Sequence, residues 1–306
     1  MAKVLVTGVA GCIGAWVARH LVDGGHQVVG LDVSGEVPRL RLLAVAGAFP
    51  LHRLDIRDFE ALRGLIEHER PDAIIHLAAL QVPACRANPR LCTEVNVGGM
   101  MNVLEVARSF ELPVSYASSA AVYGPDPGRR LLEREGLNPQ SLYGVYKRTN
   151  EEMARIYHQE HGVRSAGFRP YVVFGPGRDT GMTSDITVAL FHAAQNKPFR
   201  IRFGGRVALH HASDVARALI AAALRPPPGA AVYNLRGHVC LVADVVKAIE
   251  AVTGTRGLVT YDESPLPIAA DLDEGAFQRD YGPFEYLSLE DGLRKTLEVW
   301  RAGAYL

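Results

Sequence analysis

Apolar runs of strand length alternate with amphipathic stretches through the first half of the chain. The runs are apolar throughout instead of alternating with polar residues, which is typical of parallel strands covered by helices on both faces. The stretches between them have the spacing of amphipathic helices. This pattern predicts an α/β fold with a doubly wound parallel sheet. The predicted strands are VLVTG (4–8), QVVGLDV (27–33), DAIIHLAA (72–79), PVSYASS (113–119) and AGFRPYVVFG (166–175).

The alternation weakens near residue 176, where the polar, glycine-rich segment GPGRDTGMTSD predicts a loop. Farther on, RPPPG predicts a turn, while HHASDVARALIAAAL and AVYNL predict one more helix and strand of the sheet. We therefore expect a large domain and a smaller, interleaved C-terminal lobe. The expected boundaries are 1–175 with 207–236 for the large domain, and 176–206 with 237–306 for the lobe.

Charge is balanced along the chain, with 33 basic and 33 acidic residues interspersed. This balance leaves no basic surface for nucleic acid or for an anionic membrane. Apolar residues make up 48% of the 306 positions, so a substantial core is available. We expect a small-molecule partner, and neither nucleic acid nor a membrane.

Residues 4–18 are uncharged and follow Lys3, which raises the question of a secretory leader. The run is too short to span a bilayer and contains three glycines, so we interpret it as part of the fold. The four cysteines form neither a CxxC pair nor a dense framework. Free thiols in a reducing compartment are therefore expected, which predicts a cytoplasmic protein.

Three glycines, Gly8, Gly11 and Gly14, lie where the first predicted strand turns into a helix. Residues without Cβ let the turn close and let backbone approach a pyrophosphate, which the helix N-terminus then binds. Asp32, at the end of the second strand, is placed to accept hydrogen bonds from an adenosine ribose and to repel a 2′-phosphate. Together they predict a dinucleotide site that prefers NAD to NADP. The alternatives are a tight turn for the glycines and a helix N-cap for Asp32.

A second group of residues suggests catalysis. Tyr143 and Lys147 are one helical turn apart in YGVYK, so they share a face. An ammonium beside a phenol favours the phenolate, which can act as a general base toward a substrate hydroxyl. Ser119, at the end of a predicted strand, can hydrogen-bond that hydroxyl. A solvated helix face is the alternative for the tyrosine and lysine, and Tyr146 is a competing tyrosine that adjacency to Lys147 disfavours.

With these motifs the chain resembles the extended short-chain dehydrogenase/reductase superfamily, and within it the NAD-dependent epimerase/dehydratase family. The resemblance extends over essentially the whole chain. It implies a Rossmann domain that binds NAD over 1–175 and a substrate-binding lobe after it. The motifs that carry it are TGVAGCIG (7–14), LDV (31–33), LDIRD (54–58), HLAA (76–79), NVGGMMNVLE (96–105), SSAAVYG (118–124), YGVYK (143–147), FRPYVVFGPG (168–177) and HHASDVARA (210–218).

The resemblance also implies individual contacts. Asp55 and Ile56 would flank the adenine, Lys147 would bond the nicotinamide ribose, and Asn96 would support the helix that carries Tyr143. A homodimer through a bundle that includes this helix is implied as well. The implied cofactor-binding residues are Gly8, Gly11, Cys12, Ile13, Gly14, Asp32, Asp55, Ile56, Leu77, Ala78, Ala79, Asn96, Ser118, Tyr143, Lys147, Pro170 and Val173.

Departures from the family pattern narrow the reaction. Dehydratases of this group resemble the pattern of an aspartate and a glutamate where this chain has Ala120 and Ala121. Nucleotide-sugar epimerases usually carry an asparagine at the position of Val172 and an Arg-Asp pair at Val207 and Ala208. Losing a charge-assisted phosphate contact removes about 1.5–3 kcal/mol. Elimination of water is disfavoured because its acid and base are missing. Binding of a nucleotide sugar is disfavoured as well, unless its phosphates are bound instead by Arg178, Arg200, Arg202 and Arg206.

We therefore predict an NAD-dependent oxidoreductase that acts on a secondary alcohol of a carbohydrate-type substrate, such as a free sugar, polyol, lactone or sugar acid. Arg178 is the candidate partner for a carboxylate, and Gln81, Ser119, Thr183 and Ser184 are candidate partners for hydroxyls. A nucleotide-sugar 4-epimerase with bound NAD and a non-catalytic dinucleotide sensor remain alternatives.

No metal site is expected from the two adjacent histidines in HHASD. His210 and His211 lie on an apparent strand, so their side chains point to opposite faces and cannot easily share an ion.

Overall fold

The computed structural model describes residues 1–304, which form twelve strands and twelve α-helices. The strands are β1 (Lys3–Thr7), β2 (Gln27–Asp32), β3 (Leu51–Arg53), β4 (Ala73–His76), β5 (Val114–Ala117), β6 (Ser165–Arg169), β7 (Val172–Phe174), β8 (Phe199–Ile201), β9 (Arg206–His211), β10 (Ala230–Asn234), β11 (His238–Leu241) and β12 (Val259–Tyr261). The helices are α1 (Cys12–Asp23), α2 (Pro38–Leu42), α3 (Phe59–Glu69), α4 (Val82–Ala87), α5 (Pro89–Thr93), α6 (Gly99–Ser109), α7 (Leu142–His161), α8 (Asp185–Ala194), α9 (Ala212–Leu224), α10 (Val242–Thr253), α11 (Gly275–Tyr281) and α12 (Leu289–Val299).

Seven parallel strands form the main sheet in the order β10-β6-β5-β4-β1-β2-β3, which confirms the predicted doubly wound fold. Both faces are covered. In β1, Val4 and Val6 pack against α1 and α9, while Leu5 packs on the opposite side against α3 and α6. The chain leaves β1 toward β2 and later returns to β4 on the other side of β1. The crevice at the carboxyl ends of β1 and β4 is therefore the ligand-binding position of such a sheet.

The predicted strand over 166–175 is divided in two. β6 lies in the main sheet, whereas β7 pairs with β9 in a separate three-stranded sheet of order β11-β9-β7. Pro170 stands between them and has no N–H to continue a ladder, although its carbonyl accepts a bond from Ala120 N at 3.0 Å. β3 was absent from the predicted strands because it has three residues and little burial.

The C-terminal lobe has a core of its own. Val172 and Val207 pack there with Leu190, Val245 and Leu293 from the surrounding helices. β8 and β12 form a short parallel pair at its edge. In contrast, β10 joins the main sheet beside β6. The division into domains stays a prediction, and its final residues, 305 and 306, lie outside the described part.

The expectation of four free thiols is wrong for one pair, because Cys85 and Cys92 are joined by a disulfide. Asn88 ends α4 and caps α5, and this break brings the two Cα atoms to 5.0 Å. Cys12 and Cys240 are free. Among the helices of residues 1–304, none combines the length and apolar character needed to cross a bilayer.

Candidate active site

The glycine-rich turn after β1 is shaped by close backbone contacts. Gly8 has a φ of +68°, and a Cβ at this position would lie 2.7 Å from Ala78 N. A Cβ on Gly14 would lie 2.2 Å from Gly8 O. Side chains at either place would force the turn away from β4 or from α1. The glycines thus leave open backbone where a pyrophosphate would approach the start of α1.

Asp32 joins the end of β2 to this turn. Its Oδ2 accepts a hydrogen bond from Ala10 N at 2.9 Å and its Oδ1 accepts one from Ser34 N at 3.0 Å. The next helix begins only at Pro38, so the carboxylate does not act as a helix N-cap. An ionised carboxylate has about four acceptor sites, which leaves positions for the hydroxyls of an adenosine ribose.

Two cavities lie at the carboxyl ends of the main-sheet strands. The larger, which we call the dinucleotide cavity, has a volume of about 620 Å³ and is bordered by Asp32, Asp55 and Ile56. The smaller, the reaction cavity, has a volume of about 230 Å³ and is bordered by Ser119, Tyr143 and Lys147. The residues predicted to bind NAD that line one or both are Gly8, Gly11, Cys12, Ile13, Gly14, Asp32, Asp55, Ile56, Leu77, Ala78, Ala79, Ser118, Tyr143, Lys147, Pro170 and Val173.

Asn96 differs from these residues, because it lies behind the wall and is 1% exposed. Its Oδ1 accepts from Leu80 N at 2.7 Å, and its Nδ2 donates to Leu80 O at 2.9 Å. Its own carbonyl accepts from Asn150 Nδ2 of α7 at 3.0 Å. Asn96 therefore ties the segment after β4 to α7, and it does not line either cavity.

The serine, tyrosine and lysine meet at one end of the reaction cavity. α7 begins immediately before Tyr143, where Ser141 Oγ caps the helix by accepting from Gly144 N at 3.1 Å. Lys147 Nζ lies 5.6 Å from the centroid of the Tyr143 ring and donates to Ala117 O at 2.6 Å. Ser119 Oγ accepts from Ala121 N at 3.1 Å. The competing Tyr146 instead bonds Thr93 outside the cavity.

Burial sets the protonation of this group. It raises the pKa of Tyr143, and hydrogen bonding by Ser119 together with the charge of Arg178 opposes the rise. Burial lowers the pKa of Lys147 to about 8, and the negative charge of Glu151 opposes this shift. Burial also lowers the pKa of the neighbouring His76 to about 3, so that imidazole is neutral. Arg178 is therefore a second cation, beside Lys147, that can favour a Tyr143 phenolate.

Arg178 lines both cavities and retains hydrogen-bonding capacity. Its Nη2 donates to Thr183 Oγ1 at 3.2 Å. Its Nε is buried and has no hydrogen-bond partner among the described residues. Thr183 and Gln81 also line the reaction cavity. This arrangement can receive an anionic group of a ligand, since a buried guanidinium donor without a partner is costly.

Other predicted substrate residues lie elsewhere. Ser184 is 4% exposed and donates to Gly181 O at 2.8 Å, so its hydroxyl holds the loop rather than the cavity wall. The arginines considered as phosphate anchors are paired with carboxylates: Arg200 with Asp262, Arg202 with Asp185 and Arg206 with Asp126.

Sequence patterns did not reveal several residues of the site. Tyr171 and Ile268 line the reaction cavity, and Tyr171 donates its hydroxyl to Ile268 O at 3.1 Å. Arg39 borders the dinucleotide cavity, where it donates to Gly177 O at 2.9 Å and pairs with Asp179 at 2.5 Å. These contacts join distant parts of the chain, and no local motif marks them.

The two adjacent histidines have separate surroundings. His210 Nε2 lies 3.1 Å from Leu235 O, whereas the His211 ring contacts Trp16 and Phe174. The described part of the chain contains no group of three histidine, cysteine or acidic side chains placed to hold a metal ion.

Comparison with known proteins agrees with this geometry. The family model of the NAD dependent epimerase/dehydratase family matches residues 4–235. UDP-glucuronate 4-epimerase of Thermodesulfobacterium geofontis is 27% identical over an alignment that covers 97% of this chain and 95% of that protein. Protein CapI of Staphylococcus aureus is 33% identical over 184 residues, which cover 57% of this chain and only 55% of its own length.

Solved structures extend the likeness to the whole fold. Thermus thermophilus UDP-glucose 4-epimerase, in complex with NAD, is 25% identical with a TM-score of 0.87, and the match covers 98% of this chain and 99% of that one. A monomeric L-threonine 3-dehydrogenase from a metagenome is 23% identical with a TM-score of 0.83, covers 98% and 99%, and shows the fold alone.

Proposed function

The chain belongs to the NAD-dependent epimerase/dehydratase family and is an NAD-dependent enzyme, and we propose that it oxidises a secondary alcohol of a small carbohydrate-type substrate. The substrate class is a free sugar, polyol, lactone or sugar acid, with a sugar acid favoured. A non-catalytic dinucleotide sensor is set aside, because the family and the matched relatives are enzymes.

The observation that carries this proposal is the size of the reaction cavity. Its volume of about 230 Å³ is below the range of about 300–1,000 Å³ of most small-molecule sites. Pro170 and Val173, implied contacts of the nicotinamide half, share its wall. Tyr171 and Ile268, joined by a hydrogen bond, lie on the wall as well. A small carbohydrate can be held within this space, whereas a sugar carrying a nucleoside diphosphate would have to extend beyond it.

Charge supports the same conclusion. Val172 and Val207 are fully buried in the core of the lobe, so no phosphate contact arises from either position. Among the described residues that line the reaction cavity, the cations are Lys147 and Arg178. One available guanidinium matches a single carboxylate better than a diphosphate.

In the proposed reaction Lys147 and Arg178 stabilise the Tyr143 phenolate, which accepts the proton of the substrate hydroxyl and becomes a neutral phenol. Ser119 donates to the oxygen as it becomes a carbonyl. Arg178 holds the substrate carboxylate. NAD, held by the glycine-rich turn and Asp32, supplies the oxidising equivalent when bound.

A substrate panel tests this proposal. Purified protein is mixed with NAD and with free sugars, polyols, lactones, sugar acids and UDP-sugars, while NADH absorbance and the carbohydrate products are followed. We expect stoichiometric NADH from a small substrate. Arg178→Gln should raise KM for an acid at least about tenfold and leave KM for neutral sugars unchanged, whereas kcat should fall for both because the Tyr143 phenolate loses a cation. The matched control Arg200→Gln, on an exposed ion pair, should change neither.

A nucleotide-sugar 4-epimerase is the second candidate, favoured by the nearly full-length likeness to a UDP-glucuronate 4-epimerase. That substrate also carries a carboxylate for Arg178. Interconversion of two UDP-sugars without net NADH would establish it and would refute the dehydrogenase. A protein in which Tyr143→Phe retains full turnover would contradict both candidates.

We also propose a homodimer, and we keep the cytoplasm as its proposed location although the Cys85–Cys92 disulfide removes the argument from free thiols. Met101 on α6 is 40% exposed, and Leu142 and Val145 on α7 are 46% and 41% exposed. Leu142 and Val145 lie on α7, the helix implied for a dimer bundle, and Met101 lies on the neighbouring α6. Sedimentation analysis should give a dimer that Val145→Glu dissociates, and cell fractionation tests the location. A monomeric wild type would refute the assembly.

A further inference from the structure

A buried carboxylate lies below the catalytic pair on α7. Glu151 follows Lys147 by four residues and Tyr143 by eight, so the three share one face of the helix. It is 3% exposed. Ser118 Oγ donates to its Oε1 at 2.6 Å, and Arg169 donates to both oxygens at 2.7 Å.

This carboxylate is connected to both halves of the reaction site. Ser118 lies between Ala117 and the catalytic Ser119 in the chain. The carbonyl of Ala117 accepts a hydrogen bond from Lys147 Nζ. The acceptor that fixes the Ser118 hydroxyl therefore fixes the segment that positions Lys147 and Ser119. Arg169, 1% exposed, is itself held in β6 because it donates to Tyr123 and to Glu133 O at 2.7 Å.

Glu151 also determines the charge around Lys147. The titratable groups that face Lys147 are Tyr143 and Glu151 on its own helix and His76 on β4. Glu151 in turn is faced by Arg169 on β6, by Arg148 on α7 and by Tyr116 on β5. His76 is neutral because burial lowers its pKa to about 3. Burial disfavours the ammonium, and the Glu151 carboxylate is the charge that opposes this effect.

We propose that Glu151 is a positioning residue that keeps Lys147 protonated at neutral pH and fixes the Ala117–Ser119 segment through Ser118. This inference rests on the proposed catalytic role of Tyr143 and Lys147. Glu151 acts through its neighbours and contacts no reacting atom. Its removal should therefore shift a titration as well as lower the rate.

The lysine titration can be measured without knowing the substrate. The chain contains five lysines, so [ε-¹³C]lysine gives five NMR signals, and Lys147→Met identifies the one of interest. In the wild type this signal should titrate near pH 8. In Glu151→Gln, which keeps the shape but removes the charge, it should titrate about one pH unit lower.

Three variants separate charge from folding. Glu160→Gln removes a charge from an exposed residue near the end of the same helix, which lies beside His161, and should leave the titration unchanged. Glu151→Asp keeps the charge and should restore the wild-type titration. If Glu151→Gln fails to fold because Arg169 loses its partner, Glu151→Gln combined with Arg169→Gln should fold and show the same downward shift.

The outcomes distinguish this inference from the proposed function. A Lys147 signal that titrates alike in wild type and in the glutamine variants overturns the role of Glu151, even if turnover falls. If Lys147 shifts as expected but Lys147→Met and Tyr143→Phe retain turnover on the substrate found by the panel, the proposed catalytic roles fail instead.

Discussion

Replacing Asp32 tests how the protein chooses its dinucleotide. The carboxylate is fixed by Ala10 N and Ser34 N, and it borders the dinucleotide cavity. NAD offers two ribose hydroxyls as donors at this place, whereas NADP replaces one of them with a phosphate. The same carboxylate therefore attracts one cofactor and repels the other.

The expected size follows from the hydrogen bonds that are lost. A bond to a charged group contributes about 1.5–3 kcal/mol. Asp32→Ala should therefore weaken NADH binding by about tenfold to 150-fold. NADPH binding should stay constant or improve, because the repulsion of its phosphate disappears. The ratio of the two dissociation constants should shift toward NADPH by at least about tenfold.

The ratio also separates charge from loop structure. In the alanine variant the amides of Ala10 and Ser34 lose their acceptor, which loosens the glycine-rich turn. That effect weakens both dinucleotides alike. Asp32→Asn keeps one oxygen acceptor and removes the charge, so it should shift the ratio with less loss of overall affinity.

Fluorescence titration with NADH and with NADPH measures both constants in the absence of substrate. Asp23→Asn serves as a control, because this exposed carboxylate pairs with Arg19 at the far end of α1. It should leave the ratio unchanged. A ratio that stays within twofold of wild type in both Asp32 variants would remove Asp32 from cofactor selection.

Two further predictions concern the free energy of unfolding, and a third concerns the cysteines. Arg169→Met leaves the buried Glu151 carboxylate without its main partner, so the free energy of unfolding measured by urea denaturation should fall by about 3–5 kcal/mol. A fall of less than about 1 kcal/mol would show that the pair does not stabilise the fold. The pKa of His76 is lowered from 6.5 to about 3, so the unfolded chain binds the proton first, and this residue alone should lower the free energy of unfolding by about 1.4 kcal/mol per pH unit below pH 6.5. His210 and His211, whose pKa values burial lowers to about 4 and about 3, add to the fall. His76→Gln should reduce this slope. Thiol titration should find two reactive cysteines before reduction and four after it, and four at the outset would exclude the Cys85–Cys92 bond.

Local sequence predicted the parts of the site that local geometry creates. The glycine spacing predicted the turn after β1, and the apolar runs predicted five strands of the main sheet. The spacing of Tyr143 and Lys147 predicted that both side chains share a face of α7. Each of these features depends on residues within a few positions of one another, where backbone sterics and helix periodicity suffice.

Contacts between distant segments could not be predicted in the same way. The Tyr171–Ile268 hydrogen bond spans 97 residues, and the Arg39–Asp179 ion pair spans 140. Cys85 and Cys92 have a spacing that fits no common motif, yet the break between α4 and α5 brings them together. Such pairs depend on how elements pack, and periodicity carries no information about partners.

The residues proposed for catalysis and those proposed for substrate binding lie on different parts of the fold. Tyr143, Lys147 and Ser119 lie on elements anchored in the main sheet, and Glu151 and Arg169 connect those elements below the reacting groups. Arg178, Thr183, Met182 and Ile268 reach the reaction cavity from the loop after β7 and from the segment after β12. Substitutions in these loops can alter cavity volume and anion binding without moving the base or its lysine. Arg178 connects the two functions, because its charge opposes the rise in the pKa of Tyr143 and the same residue lines the reaction cavity. A carboxylate bound there would neutralise part of that charge, so substrate identity and the strength of the base are coupled through one side chain.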